Sequence, residues 1–195
     1  LDRICPFHTI LASNTSSIKP SPLADATKRP GKVLAMNFSN PVWEHPMVEI
    51  MGSSKTSKET LKVAKQFVQS IGLTPIMVYK EQTGYAFNRV WRAVKKESLH
   101  LVDKGCISFE DIDRAFVITL GPIGPFMLMD IIGLDVILAI EEQYYRESGD
   151  ESDKPPKILV EKVKKGELGV KTGKGFYEYP NPSFKRPGWL KGDLE

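Results

Sequence analysis

Val33-Leu-Ala-Met-Asn-Phe-Ser-Asn-Pro-Val-Trp-Glu-His-Pro-Met-Val-Glu-Ile50 sets polar groups in the middle of apolar surroundings. Val33 to Met36 reads as a short buried strand and Pro41 ends any ladder, so Met47, Val48 and Ile50 read as a second strand that carries Glu49. A carboxylate between apolar neighbours is costly unless something pairs with it. Two readings stay open on the residues alone. Glu49 lies on a solvated strand face and Asn40 caps a turn, or both belong to a polar site let into a core.

Outward from this stretch the first 80 residues read as strand, helix, strand, strand, helix, strand. Thr9 to Ala12 is an apolar run that gives way to Ser13-Asn14-Thr15-Ser16-Ser17, and a buried strand ending in small hydrogen-bonding side chains is how open α/β sheets meet a ligand. A plain Ser/Thr/Asn loop reads the same way. Pro20 to Thr27 fits a short helix. Thr56-Ser57-Lys58-Glu59 is a capping box ahead of Leu61, Ala64, Val68 and Ile71, and Gly72 stops that helix. Pro75 to Tyr79 is one more strand. No G-x-G-x-x-G follows a strand in these residues, so the backbone amides that hold a pyrophosphate are not among them.

From Gln82 the pattern turns helical. Gly84 opens a long helix with Phe87, Val90, Trp91, Val94, Leu101 and Val102 near one stripe, and Asn88 lies beside that stripe. Ser108-Phe109-Glu110-Asp111 is a second capping signal, followed by Ile112, Ala115, Phe116 and Leu120. Asp130, in an apolar run, reads as structural. Pro155-Pro156 starts another helix. Gly169 to Tyr179 reads as a turn packing back on the helices, and residues after Pro180 as a surface tail.

Composition excludes several classes. At 195 residues, 41% hydrophobic and 26% charged, the chain suits a folded protein rather than a disordered one. A net charge of +3, with acids and bases interspersed, gives no ground for nucleic acid or an anionic membrane as partner. Phe126 to Ile140 is broken by Asp130, Gly133 and Asp135, so it is a core segment rather than a span. Cys5 and Cys106 have no CxxC partner and no histidine cluster, which argues against a disulfide framework or a metal site and favours a reducing cytoplasm. The chain opens at Leu1 in what reads as the end of a helix, so an incomplete chain is expected.

Asn37-Phe38-Ser39-Asn40-Pro41-Val42 followed by Val48-Glu49-Ile50 resembles the active-site segment of the L-3-hydroxyacyl-CoA dehydrogenases. That family reads His-Phe-Phe-Asn-Pro-Val and Val-Glu-Val or Val-Glu-Ile in the same frame, so its catalytic histidine position holds Asn37. Three further motifs agree: Ala12 to Ser17; Gly84 to Arg89, which differs from the family's Pro-Gly-Phe-x-x-Asn-Arg at Thr83 and Tyr85; and Gly169 to Tyr177. The resemblance implies the C-terminal half of a Rossmann-type NAD-binding domain over residues 1–80. It also implies, over residues 81–195, a helical domain like the C-terminal domain of 6-phosphogluconate dehydrogenase, expected to bind substrate and dimerise.

By the same resemblance Asn14 sits at the nicotinamide end of NAD, Ser16 and Asn88 contact an acyl-CoA substrate, and Glu49, Asn37 and Asn40 belong to the catalytic set. The implied reaction is the NAD-dependent interconversion of (S)-3-hydroxyacyl-CoA and 3-oxoacyl-CoA, slowed because a carboxamide cannot take the hydroxyl proton as imidazole does. His45, or a water held by Glu49, is the candidate stand-in. The competing reading is a non-catalytic dimerisation and substrate-binding fragment without cofactor affinity. Acyl-chain length, and NAD against NADP, stay open.

Overall fold

Four short strands form one sheet in the order β1-β2-β3-β4: β1 (Leu11–Ser13), β2 (Val33–Phe38), β3 (Met47–Gly52) and β4 (Thr74–Val78). The computed structural model describes residues 1–16 and 18–192. β1 runs parallel to β2 and β3 parallel to β4, whereas β2 and β3 are antiparallel. Parallel neighbours need a crossover. α1 (Pro20–Asp25) lies between β1 and β2, and α2 (Lys58–Ser70) between β3 and β4, giving the order of elements expected from the sequence.

The strand interiors read as continuous apolar runs because both faces are covered. Leu34, Met36, Val48 and Ile50 pack with Ala64 and Val68 of α2 on one face, while Ala35 and Met51 pack with Tyr85 on the other. Helix α2 starts one residue later than the capping box suggests. The Ser57 hydroxyl accepts from Thr60 N–H at 3.1 Å, while Thr56 is drawn off to donate to the Val33 carbonyl at 2.7 Å. Residues 1–8 form turns, with one helix-like bond from Cys5 N–H to the Leu1 carbonyl. Buried Arg29 holds this segment through Asp2 Oδ1 at 2.9 Å and the Cys5 carbonyl at 3.0 Å.

The chain divides into two units, Leu1–Trp91 and Arg92–Glu195. The division falls inside α3 (Phe87–Asp103), and the second unit continues with α4 (Phe109–Thr119), α5 (Pro125–Ile132), α6 (Leu134–Ser148) and α7 (Lys157–Lys164). Here the expected helix faces need correction. Phe87 and Val90 are exposed, and the buried residues of α3 are Lys95, Ser98 and Leu99. The reason is an ion network that lets charge go inside. Arg92 Nε and Lys95 Nζ donate to Glu141 at 3.0 and 3.2 Å, Arg92 and Lys96 share Asp153, and the Arg92 guanidinium lies 4.0 Å from the centre of the Tyr144 ring.

On α4 the buried residues are Ile112 and Asp113, while Ala115 and, just past the helix, Leu120 are exposed. The expected surface tail is also corrected. Trp189 is 2% exposed, its carbonyl accepts from Arg114 Nε, and Phe184 meets Tyr177 edge-on at 4.9 Å. No helix is long and apolar enough to cross a membrane, among the described residues.

Two buried carboxylates organise the second unit. Asp113 accepts from Phe126 N–H, Met127 N–H and the Tyr177 hydroxyl at 2.8 to 2.9 Å, which fixes the start of α5. Asp130 accepts from Phe176 N–H and Tyr177 N–H at 2.9 Å and from the Tyr179 hydroxyl at 3.1 Å. That bond set is why the Gly169 to Tyr179 motif folds back as it does. A methyl group at Gly124 or Gly175 would run into these carboxylates, so both positions are closed to larger residues.

Burial outweighs the donors and pushes Asp113 up to about 6 from 3.8, with neighbouring Asp130 adding to the rise. Because the folded value is the higher one, Asp113 stabilises the fold fully below pH 4 and loses that contribution as pH rises through 6. Wild type should therefore lose about 2 kcal/mol relative to Asp113→Asn between pH 4.5 and 7. Urea unfolding at both pH values reads this, and parallel stability curves would refute it.

Candidate active site

The antiparallel register of β2 and β3 sets Asn37 directly opposite Glu49, so the two side chains share the face that carries Tyr85 rather than the α2 face. Asn37 Nδ2 donates to Glu49 Oε2 at 3.1 Å. A carboxylate only accepts, which fixes the Asn37 amide with its nitrogen toward Glu49. Glu49 Oε1 accepts from Ala86 N–H and Phe87 N–H, each at 2.9 Å, at the first turn of α3. Those amides have no partner within their own helix, and a negative charge there is favoured by the helix dipole as well. Glu49 is 1% exposed, so the solvated-face alternative is ruled out.

Tyr85 precedes those two amides and is equally buried, at 1% exposure, with φ of +53°. Its hydroxyl donates to the Thr15 carbonyl at 2.6 Å. Burial, and next the Glu49 charge, push its pKa up to about 12, so the hydroxyl remains a donor at any ordinary pH. In the loop after β1, Asn14 Oδ1 accepts from Phe38 N–H at 3.1 Å, which ties the ends of β1 and β2 together.

The expected site residues thus separate into those brought together and those not. Asn37 and Glu49 meet. Asn14 and Ser16 are exposed at the carboxyl end of β1. Asn88 is half-buried, next after the two residues whose amides Glu49 holds. Asn40 is exposed in the turn that leaves β2. His45 does not lie on a strand with Glu49, because β3 begins at Met47. It is exposed in a turn where its N–H donates to the Pro41 carbonyl at 3.0 Å.

No hydrogen bond joins the exposed His45 to the buried Glu49, whose oxygens accept from Asn37, Ala86 and Phe87. Tyr85 stood out in the sequence only as a changed aromatic. The backbone donors at 86 and 87 left no signal at all, because any residue type supplies an N–H. Among the described residues no group of three or more His, Cys, Asp or Glu could hold a metal.

Comparison with known proteins places this geometry. Residues 1–82 match the NAD binding domain of 3-hydroxyacyl-CoA dehydrogenase, and residues 84–179 match its C-terminal domain. Over 180 residues, 92% of this chain, it is 40% identical to the probable 3-hydroxybutyryl-CoA dehydrogenase of Bacillus subtilis (strain 168), covering 62% of that protein. It is 39% identical to the 3-hydroxybutyryl-CoA dehydrogenase of Clostridioides difficile, covering 64% of it. The crystal structure of (S)-3-hydroxybutyryl-CoA dehydrogenase from Ralstonia eutropha superposes with a TM-score of 0.84 at 37% identity, over 92% of this chain and 64% of that one. The chain thus spans somewhat under two thirds of the length of these relatives. With both domain matches running in order along it, the chain belongs to the 3-hydroxyacyl-CoA dehydrogenase family.

Proposed function

We propose that the whole protein binds NAD and an acyl-CoA and interconverts (S)-3-hydroxyacyl-CoA with 3-oxoacyl-CoA, at a rate lowered by Asn37. The observation that carries this reading is the Asn37–Glu49 bond, a side-chain dyad held on a buried carboxylate in the frame of the family's motif. Support for the cofactor comes from the end of β1, where the exposed Asn14 sits at the carboxyl edge of a parallel strand pair, the usual side for a dinucleotide. NAD, when bound, supplies the hydride acceptor.

What this chain does beside it is hold and polarise. Glu49 fixes the Asn37 amide, and the carboxamide can hydrogen-bond the oxygen on C3. It has no titration near neutral pH, so the hydroxyl proton must leave without a positioned acceptor. Ser16 and Asn88 are the candidate contacts to the acyl-CoA. Calorimetric titration with acetoacetyl-CoA, and NADH fluorescence, test the reading on the whole protein. Binding of both, with slow NADH oxidation, is expected. Binding of acetoacetyl-CoA without NADH would leave the non-catalytic substrate-binding alternative, and binding of neither would discard both readings of the site.

The second unit is proposed to pair with a second copy of itself. Ile131 on α5, Val136 and Ile140 one turn apart on α6, and Ile118 and Leu120 at the end of α4 are large apolar side chains left exposed, Leu120 by 75%. Exposed apolar surface of this kind marks an interaction site. Sedimentation should give a dimer for the wild type and a monomer for Ile131→Asp. A monomeric wild type at micromolar concentration would discard the pairing.

A further inference from the structure

We infer that the Tyr85 hydroxyl is a positioning device for acyl-CoA binding: through its bond to the Thr15 carbonyl it holds the loop that carries Asn14 and Ser16 against the Glu49 anchor. The inference rests on the acyl-CoA reading of the site given above.

Three observations meet at this residue. The first is the backbone. A non-glycine residue at φ of +53° is uncommon and strained, and it persists only where the surroundings over-determine it. Here they do, because Ala86 and Phe87 N–H, immediately after Tyr85, are both bonded to the buried Glu49 carboxylate, while the Tyr85 ring packs on Ala35 and Met51 of the sheet. The ring therefore cannot wander.

The second is the reach. At 2.6 Å from the Thr15 carbonyl, the hydroxyl spans a sequence separation of 70 residues to the middle of the Ser13–Ser16 segment. Other bonds tie that segment as well. Asn14 Oδ1 accepts from Phe38 N–H, and Thr15 Oγ1 accepts from Ile18 N–H at 2.9 Å. The Tyr85 bond connects the loop to the segment whose next two amides are held by Glu49. Asn14 Oδ1 accepts from β2, which leaves the Asn14 amide nitrogen, together with the exposed Ser16, facing outward from the loop's anchor to the sheet as donors for a ligand.

The third is the identity of the residue. The family motif carries Phe at this place, so the hydroxyl is a feature of this chain and not of the family frame. It occurs in a chain that also carries Asn37 in the dyad. Removing only the hydroxyl restores the family's ring, so Tyr85→Phe should fold.

The test compares wild type with Tyr85→Phe in the whole protein. Amide hydrogen exchange is followed without ligand, and acetoacetyl-CoA affinity is measured by calorimetry with KM and kcat alongside. Losing one ordinary hydrogen bond should speed exchange at Asn14 to Ser16 and at Ile18 by about twofold to tenfold, and weaken acetoacetyl-CoA binding by a similar factor. Exchange in α2 should stay as it was, and KM should rise with kcat unchanged. Unaltered loop exchange would overturn the inference, and so would a loosened loop with unaltered affinity. Should the wild type not bind acetoacetyl-CoA while loop exchange still responds, the functional reading of the site falls and the positioning role with it, yet the tether itself is established.

Discussion

Exchanging Asn37 for histidine is expected to raise the rate of NADH oxidation by acetoacetyl-CoA by about 10² to 10⁴, the usual worth of a positioned acid or base. The geometry for it is already in place. Asn37 lies opposite Glu49 at the end of β2, half-buried, and donates to Glu49 Oε2 at 3.1 Å. An imidazole there would donate through one ring nitrogen to the same oxygen, leaving the other to exchange a proton with the oxygen on C3. The carboxylate beside it favours the charged ring, so the variant's titration should lie above the ordinary value of about 6.5.

In the direction of reduction the imidazolium gives up its proton. Activity of Asn37→His should therefore be full at acidic pH and decline as pH rises through that titration, whereas the wild type should show no such limb. A spectrophotometric pH series reads both effects. A variant no faster than the wild type would mean that Asn37 is not what limits turnover.

Glu49→Ala should cost the first unit about 3 kcal/mol or more. The substitution removes the acceptor of three hydrogen bonds: those from Ala86 N–H, Phe87 N–H and Asn37 Nδ2. Glu49 is 1% exposed, so water does not readily replace it, and unsatisfied buried donors cost about 1–3 kcal/mol each where the structure cannot relax. Glu49→Gln should be milder, about 1 kcal/mol, because its amide oxygen can still serve the two backbone donors while Asn37 turns its own oxygen toward the new nitrogen. Urea unfolding followed by far-UV signal gives the ranking wild type, Gln, Ala. An alanine variant within 0.5 kcal/mol of wild type, the range usual for surface substitutions, would show that the carboxylate does not anchor the start of α3.

These two residues also show what could be read in advance. The frame of Asn37, Asn40, Pro41 and Glu49 was legible in the sequence because short strands and their polar interruptions follow local rules, and the capping serine at position 108 followed them too. The face of α3 was not legible. Phe87 and Val90 of the expected stripe point outward while Lys95 is buried, because Arg92 and Lys95 find Glu141 and Asp153 far along the chain and so bury charge that composition assigns to the surface. The end of the chain behaved likewise, since Trp189 is buried where α4 offers it Arg114 and the Phe184 ring lies edge-on to it.

By itself the sequence determined the order of strands and helices and, through the frame it shares with the family, an asparagine at the place of the family's histidine. These depend on neighbours in the chain and on residue chemistry, both written locally. Only the tertiary structure decided that Glu49 is buried and occupied by the amides of residues 86 and 87, that His45 stands apart from it, and that the Tyr85 hydroxyl reaches Thr15. His45 is carried away by the turn that precedes Met47, whereas the contacts of Glu49 and Tyr85 depend on groups tens of residues apart being brought within about 3 Å, and on backbone groups that residue types carry alike.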